Sequence, residues 1–170
     1  AFTSNRSGTH DIWVMGADGS NPTRLTTAST SELLPTWSPD GTRLAYVVDE
    51  GAGAQKVWVM DADGTDLLNL SGEGSIVDTT PAWSPDGTEI AFSRFNTLMS
   101  SYDLWTMDAD GGNAVSLTLT PEHEVMPAWS PDGSRIAFAS LAAVSADYDL
   151  SAMPSGGGAA WLLTPGTSTT

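Results

Sequence analysis

Three acidic residues recur in one local frame. Glu32 in "ELLP", Asp78 in "DTTP" and Glu124 in "EVMP" each stand three residues before a proline, 46 residues apart. Carboxylates brought to one place either bind a cation or repel one another. Each can also bond locally to backbone amides or to a neighbouring strand. The histidines, His10 and His123, do not repeat with this frame. His123 lies between Glu122 and Glu124 in "PEHEVMP", a composition that could hold a metal, but it lacks the spacing of a ligand set. His10 reads as an exposed loop residue. "DADGTD", from Asp61, places acids at Asp61, Asp63 and Asp66, as a calcium loop begins. Asp and Gly are also what a tight turn requires, and no Glu follows at the twelfth position. Calcium is therefore the one cofactor left open. The Gly-rich "GAGAQK" and "SGGGAA" lack phosphate-loop spacing and read as a long hairpin loop and a loosened turn. There is no Gly-x-Ser-x-Gly elbow, no His-Glu-x-x-His and no in-frame Ser-His-Asp set. The sequence reads as non-enzymatic.

Charge narrows the partners. The chain carries 21 acids against 6 bases, a net charge of −15. Binding to phosphate backbones requires Lys and Arg, so nucleic acid and anionic lipid are poor partners, and neither nucleic-acid binding nor membrane insertion is expected. A protein surface or a cation suits the balance better. Cysteine is absent, which removes disulfide and thiolate chemistry. No apolar run approaches the roughly 18 residues of a membrane span. The opening "AFTSNRSGTH" lacks the basic and apolar regions of a signal peptide.

The elements that must position the acids follow from the same frame. "PTWSPDG" begins at Pro35, and "PAWSPDG" begins at Pro81 and Pro127. Each is followed by a short run rich in β-branched and aromatic residues: "TRLAYVV", "TEIAFSRF", "SRIAFAS". A second echo follows, "DIWVMGADG" at Asp11, "KVWVMDADG" at Lys56, "DLWTMDADG" at Asp103 and "DLSAMPSGG" at Asp149, then a fourth short run. One unit is thus four strands joined by tight turns, the blade of a β-propeller. In "SPDG", Pro presets the turn, Asp can accept from an amide two residues on, and Gly accepts positive φ. The Trp residues are predicted to fill the space between blades. Asp11, Asp103 and Asp149 are predicted to be structural, and Lys56 stands at their equivalent position in the second unit.

The succession "PxWSPDGxxIAFxS…DIWVMDADG…xLT" resembles the TolB-type, WD-like propeller repeat and runs through nearly the whole chain. The resemblance implies an all-β propeller of about four 46-residue blades, occupying 1–170 as a single domain. The blades fall at about 1–30, 31–75, 76–121 and 122–170. "AFTSN" aligns with the second strands, so the first blade lacks its first strand, giving fifteen strands and a partial ring or sub-ring of a larger propeller. The first strand of such blades lines the central channel, which would place Glu32, Asp78 and Glu124 at one channel mouth as candidate binding residues. The resemblance further implies a protein-binding or self-assembling scaffold in the periplasm or outside the cell, with homo-oligomers forming through exposed blade edges. It is also similar to propellers that gate serine peptidases, so an accessory segment of a larger peptidase or sensor is a second reading. A cation or small-ligand binder acting through the channel acids is a third.

Overall fold

The computed structural model describes residues 1–141 and 147–164, and the end of the last predicted blade lies outside the described residues. Fifteen strands form among the described residues, with no helix. The first sheet holds β1 (Phe2–Ser4), β2 (Asp11–Val14) and β3 (Thr23–Arg24). The second holds β4 (Ser31–Trp37), β5 (Arg43–Gly51), β6 (Ala54–Asp61) and β7 (Leu68–Asn69). The third holds β8 (Asp78–Trp83), β9 (Glu89–Asn96), β10 (Ser101–Asp108) and β11 (Val115–Ser116). The fourth holds β12 (His123–Trp129), β13 (Arg135–Leu141), β14 (Asp149–Pro154) and β15 (Trp161–Leu162). Strands pair in chain order and antiparallel, so each sheet is a meander.

Local chemistry sets each turn. In the first "SPDG", the Gly41 amide donates to the Ser38 carbonyl at 2.9 Å, closing the turn. The Asp40 carboxylate accepts from the Thr42 amide at 3.0 Å and from the Ser38 hydroxyl at 2.6 Å. Asp86 and Asp132 repeat this arrangement in the third and fourth sheets. These bonds, the Ser hydroxyl foremost, hold Asp40 and Asp132 down to about 2. A hydroxyl closes the outer edge of every sheet. Thr26, Ser71, Thr118 and Thr164 accept from the amides of Ile12, Val57, Leu104 and Leu150 at 2.8–2.9 Å.

Two features depart from the sequence reading. "GAGAQK" is not a long loop: β5 and β6 run up to Gly51 and Ala54, which pair with each other, and leave a two-residue turn. Ala52 (φ 51°) and Gly53 (φ 82°) both take the left-handed conformation that a tight β-hairpin needs. The first strand of each full sheet also carries a bulge. There Leu34, Thr80 and Met126 adopt φ of 53°, 52° and 57° immediately before the repeated proline.

The core lies between sheets rather than within any one of them. Ile12, Leu44, Tyr46, Val48 and Met60 pack between the first and second sheets. Ala45, Val57, Val59, Leu70, Trp83, Ile90, Phe92 and Met107 pack between the second and third. Ala91, Leu104, Ile136, Phe138 and Met153 pack between the third and fourth. Trp58, Trp83, Trp105 and Trp129 belong to or border these clusters, as expected. Trp37 differs: it is 39% exposed where Trp83 is 7% exposed, because the first sheet presents no first strand to cover it. Among the described residues the first and fourth sheets share no contact, so the four sheets form part of a propeller ring.

Sheet spacing is tight. A Cβ on Gly64 would stand 3.1 Å from the Leu25 carbonyl oxygen of the preceding sheet, and one on Gly111 would stand 3.2 Å from Leu70. The glycine of one "SPDG" turn likewise rests on the proline of the turn before it, Gly87 against Pro39. Ile90→Ala is expected to lower stability by about 2–5 kcal/mol, because the residue is fully buried between two sheets that cannot collapse around the loss. Urea denaturation, with the midpoint compared to the parent chain, checks this.

Candidate functional site

The three acids of the repeat occupy equivalent places at the start of β4, β8 and β12, each opposite a residue of the next strand in its own sheet. Glu32 faces Val48, Asp78 faces Arg94, and Glu124 faces Ser140. All three are buried. A buried carboxylate requires partners, and the three sheets supply them differently. Asp78 receives a bidentate pair from Arg94, with Nε at 2.7 Å and Nη2 at 2.6 Å. Glu124 accepts from the hydroxyls of Thr118 and Thr120. Glu32 accepts from the Thr30 hydroxyl at 2.6 Å through Oε1, while its buried Oε2 has no partner.

The register explains the difference. Thr26 and Ala28 in the first sheet stand where Thr118 and Thr120 stand in the third. The hydroxyl that bonds Glu124 Oε1 is thus a methyl group at the equivalent place beside Glu32. Arg94 is likewise replaced by Val48. Burial pushes Glu124 up to about 7, opposed by its two threonine hydrogen bonds and helped by the charges of Asp103 and Glu122.

The remaining candidates are used locally. Asp11 is fully buried and pairs with Arg24 at 2.7 Å. Asp103 accepts from Asn96 Nδ2 at 2.9 Å and from the Thr120 amide at 3.2 Å. Asp149 begins β14 opposite Ser140 and is half-buried. Lys56 is buried and pairs with Glu50 at 3.2 Å. The Asp63 carboxylate accepts from the Thr65 amide and hydroxyl, which is turn chemistry. His10 is exposed, and His123 rests against the Tyr102 ring. Among the described residues no three His, Asp or Glu side chains gather into a group that could hold a metal ion.

Between the first and second sheets lies an open cleft of about 450 Å³, lined by Leu25, Thr26, Glu32, Tyr46, Trp58 and Leu67, among others. Two of its lining residues, Glu32 and Trp58, each have a buried polar atom without a partner, Oε2 and Nε1. Sequence reasoning missed this cleft, although the signal lay in the aligned repeats, where Val48 replaces Arg94 and Ala28 replaces Thr120.

Meander sheets stacked around an axis, with buried frame acids and no assembled catalytic set among the described residues, define a partial β-propeller. The family model of the TolB β-propeller domain matches residues 1–98, and the chain belongs to that family. The Tol-Pal system protein TolB of Methylobacillus flagellatus is 40% identical over 47 residues, 28% of this chain and 11% of that protein. A TolB-type structure from Agrobacterium tumefaciens superposes with a TM-score of 0.82 at 24% identity, over 95% of this chain and 59% of its own. A puromycin-hydrolysing peptidase of Mycobacterium tuberculosis shares the fold with a TM-score of 0.61 at 18% identity, over 80% of this chain and 22% of that protein. The chain therefore spans only part of the relatives it matches.

Glu124 makes the fold sensitive to pH in a definite direction. Its carboxyl titrates near 7 when folded against an ordinary 4.5, so the native state holds the proton more tightly. Its contribution to stability therefore falls as pH rises from about 4.5 to about 7. Glu124→Gln is expected to match or exceed the parent in stability at pH 8, with the gap closing by pH 4.5. Urea midpoints across this range check the sign; a gap that does not change with pH contradicts it.

Proposed function

We propose that this chain is a non-enzymatic, extracytoplasmic propeller scaffold that binds protein, including further blades or copies of itself. The observation that carries this reading is Leu150. It occupies on β14 the place that Ile12, Val57 and Leu104 occupy on β2, β6 and β10. Those three are fully buried between sheets, whereas Leu150 is 43% exposed. Leu162 and Leu163 beside it are exposed as well. A sheet face built for another sheet is an apolar surface that a protein partner can cover. The outer edges suit assembly less, since β3, β7, β11 and β15 are two residues each and offer little ladder to a new strand. The Tol-Pal system relatives support a place in the cell envelope and a protein partner.

The second reading is an accessory segment of a larger peptidase, favoured by the likeness to puromycin-hydrolysing peptidases. On that reading the reacting groups lie in sequence outside this chain.

Light scattering across a concentration series tests the first reading. A defined oligomer is expected, and Leu150→Lys is expected to weaken it by about tenfold or more, since it places an unpaired charge in the covered face. A strictly monomeric parent, or an oligomer indifferent to Leu150→Lys, overturns assembly through this face. Turnover of an aminoacyl-nitroanilide by the purified chain overturns the non-enzymatic reading.

A further inference from the structure

The cleft between the first and second sheets repeats a site that the third sheet fills for itself. In the third sheet the Arg94 guanidinium forks onto Asp78 and lies over two rings, 5.1 Å from Phe92 and 4.7 Å from Trp105. Phe92 and Trp105 are cross-strand partners, and Arg94 follows Phe92 by two residues on the same face. In the first sheet another arginine covers the equivalent rings: Arg6 lies 5.5 Å from Phe2 and 4.8 Å from Trp13, themselves cross-strand partners.

The second sheet carries the same receptor without its cation. Tyr46 and Trp58 are the cross-strand aromatic pair, in the register of Phe92 and Trp105. Glu32 stands where Asp78 stands. The position of Arg94 is taken by Val48, which has no charge to offer. Glu32 is 2% exposed, its Oε2 has no partner, and it enters none of the ion pairs found among the described residues. The neighbouring cation, Lys56, is engaged by Glu50 instead. Burial, with the Glu32 charge added, raises the Tyr46 phenol well above its usual range, so it stays a neutral ring. The pocket opens to solvent as a cleft lined by Glu32, Tyr46 and Trp58 together; the equivalent cleft beside Glu124 has Ser151 in place of the tryptophan, and there both carboxylate oxygens are bonded by threonines.

We propose that this cleft is a guanidinium-recognition site, in which Glu32 accepts the hydrogen bonds of an incoming arginine side chain and the partly exposed Trp58 ring lies beside its plane, with the buried Tyr46 in the cleft wall. Carboxylate and ring faces together select a planar guanidinium over a compact ammonium, because only the former can fork onto one carboxylate and stack at once. The site is independent of the Leu150 face and stands whether or not that face assembles.

The whole chain is titrated with N-acetyl-L-arginine N-methylamide, free L-arginine and N-acetyl-L-lysine N-methylamide, following the Trp58 indole resonance by nitrogen–proton NMR. The arginine amide is expected to shift it saturably, the lysine amide at least about tenfold more weakly. Glu32→Gln is expected to weaken the arginine amide by about tenfold or more. Val48→Arg rebuilds the internal occupant; it is expected to fold, to place the indole resonance near its ligand-bound position, and to ignore added arginine. Tighter binding of the amide than of free arginine identifies an arginine within a protein chain as the source, and the reverse identifies the free amino acid. No saturable shift, equal response to lysine, or undiminished binding by Val48→Arg overturns the proposal.

Discussion

A four-stranded meander this small cannot bury an apolar face by itself, and every core residue here depends on the sheet beside it. That dependence fixes the separation and orientation of the sheets, and through them almost everything else. The glycines of the "DADG" turns stand close against Leu25 and Leu70, just past the last strand of the preceding sheet, and the "SPDG" glycines rest on prolines of the preceding turn. The repeated motif therefore serves twice, shaping its own turn and receiving its neighbour's. This double duty gives a physical reason for the same seven letters at the same spacing.

Within that frame the buried polar positions have diverged. Glu32, Asp78 and Glu124 share one place in the fold and have three different partner sets: a lone hydroxyl, a bidentate arginine, and a pair of threonines. Packing geometry accommodates a carboxylate at each place; the cross-strand neighbour answers the charge only for Asp78, while Glu124 and Glu32 are met by hydroxyls of the segment that enters their own strand. Val48, Arg94 and Ser140 are that neighbour. A single position in the second strand thus separates a structural ion pair from an unfilled receptor.

Much of this was legible in the letters. Pro-Asp-Gly and Asp-Gly turns punctuate the chain so regularly that strand number and order follow from them, and Trp83 and Trp129 pack between sheets as plates. The two-residue hairpin at Ala52 and Gly53 was not legible, because a glycine-rich run looks the same whether it loops or turns tightly. The bulges at Leu34, Thr80 and Met126 were hidden for another reason: leucine, threonine and methionine give no warning of a left-handed backbone. The acids were found, but reading them as one set obscured what matters about them, that each solves its burial separately. The cleft would have emerged from comparing the units column by column instead of seeking a shared function for the column.

Because strands pair in chain order and each sheet touches only the sheets next to it, strand contacts run within one sheet or between consecutive sheets. Such an arrangement has no long loop to close before the first favourable contact forms. Any adjacent pair of sheets can nucleate, and the rest can be added one at a time, as in a solenoid. The same locality makes the unit of 46 residues a natural quantum of duplication: inserting or deleting a whole one leaves every remaining interface intact, so rings of different size are within easy evolutionary reach of one another.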